Sequence, residues 1–352
     1  MKAMANEEGV FLTGGTGLLG SHISERLNQA HIPVRALCRP SSSSAHLEAS
    51  GATLVAGDVR AEPSRLSVAM GDASTVVHSA AAVYPGWPWP EIQGLNVHGA
   101  RRTAEAAARN GVRHFVHVSS VAVYGPKDGP MAEDDPLDCP LSDGDLYARS
   151  KREAEFAVQE VARETGLPLT ILRPSVVYGE RDRHFVPRLL RILRWPLVPV
   201  PGGATAPLPV VYAGNVADCV ARIVECGAPS GSPTIYNLAA DHPLSLRGLL
   251  RGLAEAMGSR PPRILPVPEP VAAAGATMAE WLLRLRPATA AVPPLRRSIR
   301  LAARGNPYRS ERVRRNLGWR PPFAAQEALE RTGLWVTGQS HWDRALPGAD
   351  RN

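Results

Sequence analysis

Two hydrophobic periods alternate along the first half of the chain. Short, nearly continuous apolar runs occupy 9–13, 33–38, 52–56, 75–78, 114–118 and 169–172. Runs this short, apolar at almost every position, suit strands buried on both faces. Between them lie stretches with apolar residues every third or fourth position, which predict helices over 18–27, 63–70, 92–110 and 147–165. The last two end at Gly111 and Gly166, good helix stops. Strands alternating with helices in this way predict an α/β fold with a doubly wound parallel sheet covered on both faces.

After Arg173 the pattern changes. Proline becomes frequent and strands become sparse. Strands are expected over 210–212 and 234–237, with a helix over 216–226 between them. The Pro- and Ala-rich stretch 261–294 contains a further expected helix over 271–285, on which Met278, Trp281, Leu282 and Leu285 recur at helical spacing. That stripe reads either as a buried helix face or as a lid over an apolar substrate. The expected domains are a larger one over 1–175, rejoined by 210–240, and a smaller, partly discontinuous substrate-binding one over 176–209 and 241–337. A loosely ordered tail, 338–352, follows.

Composition narrows the class. The chain has 352 residues, 44% hydrophobic and 21% charged, which excludes wholesale disorder and a collagenous chain. No apolar run is long enough for an integral membrane span, and the first residues lack the apolar core of a secretory signal. The four cysteines, Cys38, Cys139, Cys219 and Cys226, have no Cys-x-x-Cys spacing. No metal site is expected from them, and a reducing, cytoplasmic location is. Charge adds one feature. The formal net charge is +7, yet 284–320 alone holds eleven arginines against the single acid Glu311, leaving −3 on the rest. Such a block is a solvated face or a site for an anionic substrate, carrier or membrane surface. Without interleaved aromatic residues or finger spacing, nucleic acid is not an expected partner.

The candidate chemistry begins at Thr13-Gly14-Gly15-Thr16-Gly17-Leu18-Leu19-Gly20, between the first strand and the first helix. Gly14 permits a tight turn, Gly17 permits close approach of a pyrophosphate, and Gly20 permits close helix–sheet packing. The helix N-terminus offers free N–H groups to phosphates. Gly14, Thr16, Gly17, Leu18 and Leu19 are therefore the expected cofactor-binding residues of this loop. The second strand ends Leu37-Cys38-Arg39, without the acid that would hold the ribose 2′-hydroxyl of NAD. Arg39, with Ser41 to Ser44 beside it, favours NADP(H) over NAD(H). Arg35 is expected on the same face, further from the tip. Asp58, followed by Val59, ends the third strand and is placed to accept from the adenine amino group.

Tyr147 and Lys151 stand at i, i+4 on one predicted helix face. A cation beside a phenol lowers its pKa and fits it for proton exchange with a carbonyl or alcohol oxygen. Ser119 and Ser120 end the fifth strand, where ligands of open α/β sheets sit.

Together these pieces resemble the extended short-chain dehydrogenases/reductases. The matching residues also include His78-Ser-Ala-Ala81, Asn96-Val-His-Gly99, Val118-Ser-Ser-Val-Ala-Val-Tyr-Gly125, Leu172-Arg-Pro-Ser-Val-Val-Tyr-Gly179 and Tyr236-Asn-Leu238, in the family's order. The resemblance implies a Rossmann domain and hydride transfer at the nicotinamide. It implies Ser120 as the catalytic serine, with Ser119 as fallback, and Tyr147 as general acid/base. Lys151 would hold the nicotinamide ribose. Ala80 and Ala81 would line the cofactor cleft, Pro174 and Val177 would lie near the nicotinamide, and Asn96 would brace the sheet. A homodimer through the helices at 92–110 and 147–165 is implied by analogy.

Within that family, dehydratases place acids directly after the catalytic threonine, where this chain has Val121 and Ala122. Sugar epimerases carry an asparagine where Val176 stands and an arginine near Leu208 and Pro209. The segment Val34 to Arg39 and the loop holding Trp87 and Trp89 look instead like the dihydroflavonol-reductase and 3β-hydroxysteroid-dehydrogenase branch. The expected activity is an NADP(H)-dependent interconversion of ketone and secondary alcohol on a mostly apolar or polycyclic small molecule. Two alternatives stay open: a nucleotide-sugar epimerase with retained NAD, and a non-catalytic, NADP-sensing binding protein.

Overall fold

Strand β1 (Val10–Thr13) is paired on both sides, by β2 (Val34–Cys38) and by β4 (Thr75–His78), so the sheet grows outward from it in two directions. In the computed structural model, which describes residues 9–83, 87–127, 129–228, 233–284, 299, 303 and 305–338, the order is β10-β6-β5-β4-β1-β2-β3. The remaining strands are β3 (Thr53–Ala56), β5 (His114–Val118), β6 (Leu169–Pro174) and β10 (Thr234–Leu238). Every pairing in the sheet is parallel. The order reverses direction between β1 and β4, which opens a crevice at their carboxyl ends.

Helices cover both faces. On one side α1 (Leu18–Gln29) packs against α8 (Ala213–Cys226), burying Ile23 and Leu27 with Val216, Val220 and Ile223. On the other, α3 (Pro63–Met70), α5 (Gly99–Arg109) and α6 (Leu146–Thr165) bury Leu66, Met70, Ala104, Ala154 and Val158 against Phe11, Val76 and Phe115. The alternating periods of the sequence thus correspond to the layers of the fold. The stretch expected as one helix over 92–110 starts earlier, at α4 (Trp89–Ile92), with Pro90 in its first turn, where a proline costs no hydrogen bond. It widens to a π-helical turn at Gln93–His98 before α5.

The region after Arg173 holds more structure than its prolines suggest. β7 (Val176–Tyr178) pairs with β9 (Val210–Tyr212), and β8 (Leu197–Pro201) with β11 (Arg263–Val267). The latter two carry prolines, and in a two-stranded ribbon each strand has a free edge where the missing N–H is tolerated. Helices α2 (Ala45–Ala49), α7 (Phe185–Leu193), α9 (Leu246–Ala256), α11 (Glu311–Leu317) and α12 (Ala325–Val336) were not expected from the sequence pattern. Leu189, Leu249, Leu253 and Leu329 from α7, α9 and α12 form a separate apolar cluster beside the main sheet.

Helix α10 (Glu269–Arg284) forms where a helix was expected, but its stripe does not form a buried face: Met278, Trp281 and Leu282 face outward. Leu285, the part of the arginine-rich block at 285–298, 300–302 and 304, and the expected tail after Gly338 lie outside the described residues. Among the described residues, no helix is long and apolar enough to cross a membrane.

Candidate active site

The site forms where β1, β4, β5 and β6 end together. Gly14 leaves β1 with a φ of 75°, and a Cβ there would lie 2.6 Å from the backbone nitrogen of Ala80. The loops after β1 and β4 therefore touch, and only glycine allows it. Thr13 strengthens the junction: its Oγ1 bonds His78 Nδ1 (2.9 Å) and accepts from the Ala80 N–H. A Cβ on Gly20 would overlap the Gly14 carbonyl, so Gly20 seats α1 against the loop.

Gly17 differs from both. Its backbone is one any residue adopts, and a Cβ there would meet only the Gly14 carbonyl oxygen at 3.3 Å. It is the first cap of α1, with no side-chain cap bond and no acid in the first turn. An uncapped helix start with space in front of it fits a pyrophosphate. Thr16, Leu18 and Leu19 are partly buried around that start, and Ala80 and Ala81 line the facing loop. These features fit a bound dinucleotide.

At the other end of the crevice, Arg39, Ser41, Gly57, Asp58 and Arg60 line a cleft of about 530 Å³. Arg39 is exposed at its mouth. Arg35 lies elsewhere: its guanidinium packs over Gly71, at the turn before β4. Asp58 is held by a residue the sequence reading passed over. Arg60 Nε donates to Asp58 Oδ1 (3.0 Å) and Nη2 to Oδ2 (2.8 Å), which pulls the carboxyl below its usual range. The Asp-x-Arg spacing was the available signal. Val59 is buried beneath, against Gly99 of α5.

Ser120, Tyr147 and Lys151 converge on the end of β5. Ser120 caps a 3₁₀ turn (Val121–Tyr124), its Oγ accepting from the Ala122 N–H (3.2 Å). Asp145 caps α6 through the Ala148 N–H and so sets the first turn, which carries Tyr147. The Tyr147 phenol faces Ser120, near enough for the serine to pull its pKa down. Ser119, by contrast, is buried with its Oγ unpartnered. Lys151 Nζ donates to the Val118 carbonyl (2.9 Å) from a buried position.

The electrostatics depart from expectation in one respect. Burial pushes the Tyr147 phenol above its usual value, the neighbouring Ser120 hydroxyl pulls it partly back, and the Asp145 carboxylate raises it again. The expected depression by Lys151 is not found, because the ammonium is turned to Val118. Burial lowers Lys151 itself to about 8, against the opposing charge of Glu155. Under it, His78 and His117 stack with centroids 5.6 Å apart. Burial and the Lys151 charge keep both imidazoles neutral, with His78 pushed down to about 3 and His117 well below normal.

Supporting contacts fix these groups. Asn96, from the π-helical turn, accepts from the Ala82 N–H (2.6 Å) and donates to the Ala82 carbonyl and Ser150 Oγ. It thus clamps the loop after β4 to the helix that carries Tyr147. Trp89 is covered by the Arg149 guanidinium at 4.0 Å, while Trp87 is exposed. Pro174 is buried at the end of β6 and Val177 packs against the core behind β7.

Comparison with known proteins agrees with this geometry. The model of the NAD dependent epimerase/dehydratase family matches residues 10–239. The chain is 27% identical over 320 residues to a 4-hydroxy-2-methyl-3-oxo-4-farnesyl-3,4-dihydroquinoline-1-oxide ketoreductase of Stigmatella aurantiaca, covering 91% of this chain and 94% of the relative. It is 30% identical over 375 residues to 3 beta-hydroxysteroid dehydrogenase type 7 of Homo sapiens, covering 95% and 97%. Among solved structures it is similar to MoeE5 in complex with UDP-glucuronic acid and NAD, at 25% identity and a TM-score of 0.67, covering 93% of this chain and 98% of that one.

Proposed function

The chain belongs to the NAD dependent epimerase/dehydratase family, and from that premise we propose that it is an NADP(H)-dependent oxidoreductase interconverting a ketone and a secondary alcohol on a mostly apolar small molecule. That it is an NAD(P)-dependent enzyme of the short-chain dehydrogenase/reductase type follows from the family and its ketoreductase and dehydrogenase relatives. The substrate class and the preference for the phosphorylated cofactor are the proposal.

The observation that carries it is the convergence at the end of β5 of Ser120, the Tyr147 phenol that faces it, and Lys151 one helical turn on. Bound nicotinamide supplies or accepts the hydride. In the reducing direction Tyr147 gives its hydroxyl proton to the carbonyl oxygen, and Ser120 holds that oxygen in place. The raised phenol pKa keeps Tyr147 protonated at neutral pH, which suits the donor role. Lys151 holds the nicotinamide ribose, and its positive charge favours a phenolate once the proton has left. Gly14, Thr16, Gly17, Leu18 and Leu19 receive the pyrophosphate. Ala80, Ala81, Pro174 and Val177 flank the nicotinamide half, and Asp58 and Val59 the adenine.

Support for an apolar substrate comes from what replaces polar contacts: Val121 and Ala122 follow Ser120, Val176 is exposed after β6, and Leu208-Pro209 precede β9. Both curated relatives named above act, by their names, on a prenylated or steroidal compound. Arg39 and Arg60 at one cleft support the 2′-phosphate. The dimer surface in this reading is the outer side of α5 and α6, where Phe156 is exposed.

The test is nucleotide analysis of denatured protein followed by titration and turnover. A chain that purifies empty, binds NADPH more tightly than NADH and reduces apolar ketones supports the reading. Stoichiometric retained NAD would replace it with an epimerase. Tyr147→Phe is expected to lower turnover about 10²–10⁴-fold with cofactor binding kept.

A further inference from the structure

Helix α10 is inside out. It packs toward β8 through small residues: Ala272, Ala273 and Ala279 are partly covered and Ala276 is buried. Its large apolar residues, Val271, Met278, Trp281 and Leu282, are between 52% and 60% exposed. They recur at helical spacing along the opposite side, with Ala274 between them. A surface helix of a globular protein ordinarily turns its bulky apolar stripe to the core. An exposed stripe of this size marks a surface that meets something apolar.

The corner around α10 is apolar and basic, while the two acids of the helix itself, Glu269 and Glu280, are partly buried. α10 begins two residues after β11, and at that corner Trp195, Leu197 and Leu265 are also exposed. Arg263 sits in register with Leu197, and Arg194 and Arg260 flank the two strands. All three arginines are exposed, and among the described residues none of them pairs with a carboxylate.

We infer that α10 is an interfacial anchor that lays its outward stripe on an anionic lipid surface, with the neighbouring arginines meeting the headgroups. Charge decides the occupant. A second copy docked on this corner would set arginines against arginines, whereas an anionic bilayer supplies the opposite sign. Tryptophan is suited to the headgroup level, with an apolar ring and one N–H. The helix lies on the surface rather than crossing it: among the described residues no helix is long and apolar enough to span. This inference rests on α10 and its corner alone and does not depend on the proposed reaction.

The experiment is co-sedimentation of the full chain with vesicles of phosphatidylcholine containing phosphatidylglycerol, and with phosphatidylcholine alone. The expected result is sedimentation with the anionic vesicles, accompanied by a blue shift of tryptophan emission. Binding should fall several-fold on phosphatidylcholine alone and in about 1 M salt, where screening acts within ~3 Å. Met278→Glu/Leu282→Glu should weaken it at least about tenfold, and Trp281→Ser should remove part of the emission shift. Both alter outward side chains, so the unfolding midpoint should not move. Absence of sedimentation with the anionic vesicles overturns the inference. So does equal binding by the double variant, or a dimer that this variant splits while the wild type ignores vesicles.

Discussion

Arg173 and Glu155 form an ion pair sealed inside the protein, at 2% and 0% exposure. Arg173 Nη2 lies 2.6 Å from Glu155 Oε2, and Nε lies 2.9 Å from Oε1. Arg173 Nη1 donates to Tyr124 Oη (2.8 Å), which donates to Asn237 Oδ1 (2.9 Å). The pair therefore joins β6, α6, the turn after Ser120 and β10. Glu155 stands one helical turn beyond Lys151, and its carboxylate favours the charged lysine against burial.

Breaking it should be costly. Glu155→Gln leaves a guanidinium buried without a counter-charge, and Arg173→Met leaves a carboxylate. Each is expected to destabilise by about 3–5 kcal/mol, read from denaturant midpoints. Glu155→Gln/Arg173→Met should cost less than the two single changes added together. Strict additivity would mean the two side chains do not act as a pair.

Two glycines of one loop should respond in opposite ways. Gly20→Ala drives a methyl into the Gly14 carbonyl and should destabilise the fold by about 3 kcal/mol or more. Gly17→Ala meets only one atom at 3.3 Å and should leave the unfolding midpoint nearly unchanged. Its methyl occupies space in front of α1, so cofactor affinity should fall about tenfold or more. Equilibrium binding and thermal unfolding of the two variants separate these outcomes.

Arg39 stands at the mouth of the cleft that Asp58 and Arg60 close. Arg39→Asp should move the NADPH to NADH preference toward NADH by about tenfold or more. Because Arg60 is already engaged by Asp58, Arg60→Ala should have the smaller effect. An unchanged ratio in Arg39→Asp would remove that arginine from 2′-phosphate recognition.

Lys151 carries a pH signature. Its pKa of about 8 in the folded chain lies below the ~10.4 of an unfolded lysine. Between these values the unfolded chain binds more protons than the folded one, so stability contributed by this site rises with pH across that window. Relative to Lys151→Met, the wild type should therefore gain stability between about pH 8 and 10.4. Parallel curves would show that the lysine is not held by burial. Saturating NADPH should flatten the difference if the cofactor accepts the ammonium.

The strands and helices of the first half were legible because a strand buried on both faces must be apolar throughout and a covering helix must be apolar on one side. The glycine loop and Tyr147-x-x-x-Lys151 were legible because turn geometry and helical pitch tie residue spacing to space. Tertiary structure decided the rest. Lys151 pointing at Val118 and the raised Tyr147 phenol depend on burial, which spacing does not encode. The hold of Arg60 on Asp58 is a choice between partners that only folded geometry makes. Arg173 and Glu155, eighteen residues apart, read as ordinary surface charges until β6 and α6 seal them together. The stripe of α10 shows the same limit from the other side: periodicity defines a helix and its two faces, but which face is covered depends on what the rest of the chain places against it.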